Sequence, residues 1–309
     1  MRPWPALGVA ALGGVASALQ SLANARLGVA LGSPVLGAVV NNVTAVLVML
    51  GLLAIMPSLR AGLAGLTRSG LPWWTYLGGL GGALFVVGAT YAVPVLGVSL
   101  FTIAQVAGSG AGGLAVDRAG LGPAGRLALT GPRIGGALLG AAAVVIAELG
   151  RPIGAIAWWA VALTVGAGLG VAVQPALNGR VAAASTTASG VAVNMVVSTP
   201  AVVLVALVAG AFAHAVAGHW PGNALLYLGG PLGLTVIVTL LVGVRAAGVL
   251  RTGLAGIAGQ LAGAMLLDGL LPGGPGVGPG LVAGAVLTVV AVAVSGRSGR
   301  RSDTHASLP

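Results

Sequence analysis

Cysteine is absent from this chain of 309 residues, and every one of its 14 basic residues is arginine. Without cysteine there is no disulfide, no thiol nucleophile and no thiolate metal site. Only four acidic residues occur, Asp117, Glu148, Asp268 and Asp303, and none stands in the middle of an apolar run. Ionisable groups inside a bilayer are costly and are kept for a function, so coupling through a central carboxylate is disfavoured and a neutral polar site is favoured. The histidines, His214, His219 and His305, show no metal-ligand spacing. No P-loop or nucleophile triad is present, and Gly166-x-Gly168-x-Gly170 lies inside an apolar run, where a dinucleotide loop has no place. These absences predict no enzymatic activity, no cofactor and no metal.

What is present is apolar. Hydrophobic residues make up 57% of the chain and charged residues 6%, with a mean hydropathy of +1.07. A soluble domain of this length cannot hide so much apolar surface behind so few charges. A helix crossing a bilayer core needs roughly 20 apolar residues, and nearly the whole chain is consumed by such runs. The net charge of +10 comes from arginines dispersed in short loops, which suits control of topology and gives no nucleic-acid partner.

Hydropathy and turn residues predict an all-α integral membrane protein of ten spans, at 6–26, 34–56, 73–92, 95–116, 132–148, 157–178, 189–210, 225–244, 248–267 and 279–295. They form a first five-helix repeat (1–150) and a second (151–296), followed by a polar tail (297–309) expected to be disordered and cytoplasmic. Arg2, the first apolar run and Ala23-Asn24-Ala25 imitate a signal peptide with its cleavage site. The polar pattern of that run recurs deep in the chain, so it is read as a retained helix.

The recurrence is detailed. Gln20, Asn24 and Arg26 follow the order Q-x-x-x-N-x-R, and so do Gln174, Asn178 and Arg180, at an offset of 154. Asn41 pairs with Asn194 at 153. Tyr76, Gly78, Gly79, Gly82, Gly97, Gly108, Gly112 and Asp117 recur at one constant offset of 151, ending at Asp268. Two of these pairs, Gly78/Gly82 and Gly108/Gly112, are GxxxG close-packing motifs. Five spans is an odd number, so the second repeat must cross the membrane upside down relative to the first. The arginines agree: with the amino terminus inside, 12 of 14 fall on the cytoplasmic side, leaving Arg26 and Arg151 outside. Inverted repeats of this kind support alternating access around a central site.

Gln20 and Asn24 stand one helical turn apart, as do Gln174 and Asn178. Pro175 removes a backbone donor beside Gln174. With Asn41, Asn194 and Gln260 these amides form the candidate substrate-binding set; the plainer alternative is that they hydrogen-bond helices together. Asn42, Gln105 and Ser109 add further polar groups. Two ion pairs equivalent under the repeat, Arg180–Asp117 inside and Arg26–Asp268 outside, are candidate gates, against the plainer reading of solvated loop charges. Trp73-Trp74 and Trp158-Trp159 begin spans and suit an interfacial belt.

The Q-x-x-x-N-x-R opening, the Leu-Gly-Gly start of the third span, and Gly259-Gln260 followed by Asp268 resemble the YdcZ-type inner-membrane exporters of the drug/metabolite transporter superfamily. The resemblance covers residues 5–295 and matches the form in which two five-span units are fused. It implies a ten-helix bundle in the bacterial inner membrane, and family polar positions at Gln20, Asn24, Asn41, Gln260, Asp117 and Asp268. Ser109 stands where Gln260 has its first-half counterpart, and Asn42 becomes Met195, so the halves have diverged. The reading is a secondary exporter of a small polar or amphiphilic metabolite or drug. Its partners are that solute and membrane lipids, with a homodimer open. The alternatives are a translocase of lipid or lipid-linked sugar, which needs a cavity open to the bilayer, and a non-transporting scaffold.

Overall fold

The computed structural model describes residues 3–150, 154, 156–213, 220–270 and 278–297, apart from the side chains of Val98, Ser99 and Asp268. Arg151, the three histidines and the tail beyond Arg297 lie outside the described residues.

The first repeat comprises α1 (Pro3–Ala30), α2 (Pro34–Ile55), a short α3 (Pro57–Leu66), a 3-10 turn (Trp73–Gly79), α4 (Leu80–Ala119) and α5 (Gly131–Ala147). The second comprises α6 (Trp158–Ala184), α7 (Thr187–Val208), a 3-10 turn (Ala224–Leu228), α8 (Gly229–Ala247), α9 (Val249–Leu270) and α10 (Pro279–Ser295). No strand occurs among the described residues. Seven stretches are long and apolar enough to cross a membrane: α1, α2, Trp73–Gly97, α6, α7, Ala224–Ala247 and the Val249–Leu267 part of α9. The apolar helices α5 and α10 have 17 residues each, about 25 Å at 1.5 Å per residue. With the second arm of α4 they complete ten helical stretches in an all-α membrane fold.

Local chemistry repeats along with the sequence. Ser33 accepts a hydrogen bond from the Leu36 amide at 3.3 Å to start α2, and Thr186 accepts one from Ser189 at 3.0 Å to start α7. Both are N-caps ahead of a second span. Between the third and fourth spans a loop at residues 93–94 was expected. The chain instead turns at one residue, Gly97 (φ 74°, ψ 162°), inside α4, and its repeat partner Gly248 (φ 80°, ψ 173°) joins α8 to α9. Only glycine adopts such a conformation without strain. Arg60 in α3 donates to the carbonyls of Leu53 and Ala54 at 2.9 and 2.7 Å, covering acceptors left open at the end of α2.

The repeats interlock, each lending its first helix to the other. A side chain at Gly168 on α6 would strike the backbone of Gln105 and Ser109, and one at Gly14 on α1 would strike Gly256 and Gln260. Gly108 abuts Val165 as Gly259 abuts Ala11, and Gly112 meets Ala172 as Gly263 meets Ala18. Every one of these contacts maps onto its twin through offsets of 154 on the first helix and 151 on the second. Thus α6 lies between the two arms of α4, while α1 lies between α8 and α9. Apolar side chains gain little from leaving lipid for protein, so close approach at small residues drives such association. The helices α5 and α10 pair with each other, Gly136 against Ala291 and Ser295 and Gly284 against Ala143 and Ala147.

Candidate functional site

The predicted amides gather into two triads. In the second repeat, Gln174 Nε2 and Asn178 Nδ2 both donate to Asn194 Oδ1, at 2.9 and 2.6 Å. In the first, Gln20 Nε2 donates to Asn41 Oδ1 at 3.3 Å, with Asn24 one turn along α1. Each triad joins the first and second spans of one repeat and faces the opposite repeat across a glycine. A Cβ on Gly78 would lie 2.3 Å from Asn178 Oδ1, and one on Gly229 would lie 2.4 Å from Asn24 Oδ1 and 2.8 Å from Asn41 Oδ1. The glycine Cα–H bonds point along those vectors, so each Asn oxygen meets a weak C–H donor. Neither Asn24 Oδ1 nor Asn178 Oδ1 has a conventional hydrogen-bond partner, though both are buried. One turn on, Gly82 faces the Gln174 amide and Gly233 the Gln20 amide.

The triads differ in access. Asn178 is 0% exposed and Asn194 1%, whereas Asn24 and Asn41 are half-buried and Ser21 is exposed; the two glutamines, Gln20 and Gln174, are alike half-buried. Replacing Asn194 with alanine strands two donors and is expected to cost about 1–3 kcal/mol. Asn41→Ala, at a longer bond nearer to open space, is expected to cost about 0.5–1.5 kcal/mol. Thermal unfolding of the two variants in one detergent checks the order.

Two predicted site residues are placed elsewhere. Gln260 is exposed and, among the described residues, makes no hydrogen bond to either triad. Its backbone is committed to packing against Gly14. Asp117 does not pair with Arg180, nor is it a solvated loop charge. It is 2% exposed and forms an ion pair with Arg133 at the start of α5. Its two oxygens also accept the amides of Val249 and Leu250 at 2.8 and 3.1 Å, so Asp117 supplies the cap that Gly248 lacks at the start of α9. Arg180 instead lies over the Trp74 ring at 5.4 Å. For the other gate, Arg26 is exposed and the Asp268 side chain lies outside the described part. Sequence reasoning had noted Asn42 without giving it a role. Its Oδ1 accepts from Ser198 at 3.3 Å and Thr199 at 3.5 Å, tying α2 to α7 across the repeats. Its replacement by Met195 in the other half was the available sign that it stands outside the symmetric set.

The profile of the family described as "Putative inner membrane exporter, YdcZ" matches residues 5–146 and again residues 159–294. The chain belongs to this family. Two successive matches are what two fused copies of the family unit produce, and they bracket the two triads of the YdcZ-type chain. No curated protein matches it. One solved structure, described as "Crystal structure of protein", is similar over 98% of this chain and 100% of its own, with a TM-score of 0.66 and 19% sequence identity. That likeness shows the fold. Membership makes the protein an inner-membrane exporter by family, and its YdcZ repeats carry neutral hydrogen-bonding groups where they meet.

Proposed function

We propose that this YdcZ-type protein is a secondary exporter of a small polar or amphiphilic solute, working by alternating access with its two amide triads as opposed seals. The supporting observation is the unequal burial of their asparagines: Asn178 and Asn194 are fully buried while Asn24 and Asn41 are half-buried. The arginine count puts both termini in the cytoplasm, the closed triad towards the cytoplasm and the open one outside. This conformation then faces outward. In the inward-facing state the repeats exchange roles, so that the Asn178 and Asn194 amides meet solute as Asn24 and Asn41 become fully buried. A neutral amide can donate to and accept from a polar solute without the desolvation cost of a charge.

The chain's lack of cysteine makes it a ready background for single-cysteine labelling. Ser21→Cys is expected to react with an impermeant maleimide from outside, and Ser189→Cys, beside the closed triad, to resist it from inside. A transported solute should lower the first rate and raise the second. Rates that do not respond to any solute in a panel of amino acids, sugars, nucleosides and amphiphilic cations would count against alternating access. Stabilisation by a panel member that vanishes in Gln20→Ala/Asn178→Ala would locate the solute at the triads, and stabilisation that survives would place it elsewhere.

A further inference from the structure

An open apolar groove of about 440 Å³ runs between the Trp73–Gly79 turn, the first arm of α4 and α6. Gly78 separates it from the Asn178 amide, so it is distinct from the triads. On α6 it extends from Gly166 to Leu177, which at 1.5 Å per residue is about 16 Å. That is close to half the roughly 30 Å hydrocarbon core of a bilayer, the depth of one leaflet. The wall is leucine, valine and tryptophan. Gly81 and Gly170 bring α4 and α6 into close contact at its floor, and Gly166, where a Cβ would meet nothing within 4 Å, leaves it open. At one end lies Trp74, with the Arg180 guanidinium over its ring at 5.4 Å. Arg180 follows Leu177 by three residues and so continues the same side of α6.

The other repeat lacks these features. Through the repeat offsets, Gly81 becomes Leu232, Gly166 becomes Leu12, Gly170 becomes Ala16 and Trp74 becomes Leu225. Leucine therefore stands where Gly166 leaves the groove open, and the aromatic platform beside the arginine is gone. A groove needed only for packing or for the transport cycle would be expected on both sides of an inverted repeat. In the other repeat Leu12 stands in the equivalent space, and the arginine count assigns the groove described here to the cytoplasmic leaflet, where anionic lipids give a negative surface.

We propose that the groove holds one acyl chain of an anionic phospholipid of the cytoplasmic leaflet, with the headgroup phosphate on Arg180. The chain fills the apolar trough and the phosphate takes a charge-assisted hydrogen bond from the guanidinium. The site is a resident lipid site and does not depend on what the protein exports.

The test is native mass spectrometry of the detergent-purified protein, titrated with phosphatidylglycerol or phosphatidylcholine of the same chain length. Wild type should retain phosphatidylglycerol at least tenfold better. Gly166→Leu should lose both lipids. A Cβ at Gly166 meets nothing within 4 Å, and the fold already accepts Leu12 at the equivalent place. Leu80→Trp blocks the opposite wall and carries the same expectation, so a folding failure at residue 166 leaves the question answerable. Arg180→Gln should keep a bound chain while dropping the preference for phosphatidylglycerol to less than twofold, and Arg180→Lys should restore most of it. Wild-type retention independent of headgroup would overturn the proposal, as would folded groove-filling variants that hold phosphatidylglycerol as well as wild type.

Discussion

Asp117→Asn is expected to be among the most damaging single substitutions in the chain, lowering stability by about 3–5 kcal/mol. On ordinary unfolding entropies that is a fall in melting temperature on the order of 10 °C. Removing the charge leaves the guanidinium of Arg133, itself 6% exposed, buried without its partner. An unpaired buried charge is what makes such changes severe, because the desolvation cost remains after the compensating attraction is gone. Two further variants separate this cause from others. Asp117→Asn/Arg133→Met should recover most of the loss, since replacing both members of a buried pair by groups of similar shape is close to neutral. What stays lost is one of the two bonds from the Val249 and Leu250 amides, because asparagine keeps a single acceptor oxygen; that is roughly 0.5–1.5 kcal/mol. A double-mutant cycle between Asp117 and Arg180 should give coupling near zero, and one between Asp117 and Arg133 at least 2 kcal/mol. An unchanged melting temperature for Asp117→Asn would refute the assignment.

Gly248→Ala should come next. At φ 80° and ψ 173° alanine sits in a region costing about 1–3 kcal/mol. The new methyl carbon would also stand 2.6 Å from Leu127 Cδ1 and 3.0–3.1 Å from the two Asp117 oxygens, adding an overpacking cost of about 1–3 kcal/mol. Gly97→Ala shares the backbone term, at φ 74° and ψ 162°. Melting curves of both variants, compared with Gly253→Ala in an open part of α9, provide the measurement. If Gly248→Ala melts with the Gly253→Ala control, the turn is not glycine-specific.

Much of this architecture could be read from the chain because the repeat is written in residues that are hard to substitute. Gly14, Gly108, Gly112 and their twins are glycine because backbone meets backbone there, and Gln20, Asn24 and Asn41 are amides because they meet one another or a glycine Cα. Identity at a constant offset thus reported contact before any contact was seen. The role of Asp117 was hidden for two reasons. Its ion-pair partner Arg133 has no twin, since α10 contains no arginine, so symmetry pointed to Arg180 instead. Its backbone partners, Val249 and Leu250, are 132 and 133 residues away and give no side-chain signature. Gln260 was grouped with the triads on polarity, but the Gly14 contact turns that stretch of α9 towards α1 through its backbone, and the side chain looks outward. Gly97 is a repeated position, yet hydropathy ends one span at 92 and begins the next at 95, a few residues early; the helix carries Pro94 without breaking and turns at Gly97.

The interlock of α1 with α8 and α9 has a consequence for how the protein is made. When α1 leaves the ribosome, the helices that cover its glycine face have not been synthesised. Of the residues that meet Gly14, the nearest is Gly256, 242 positions later, a wait of roughly 10–50 s at 5–20 residues per second. Throughout that interval Gln20 and Asn24 must find hydrogen bonds in the bilayer or from α2. Assembly of the first repeat is therefore provisional, and final packing is a post-synthetic event in which α1 exchanges lipid for the second repeat.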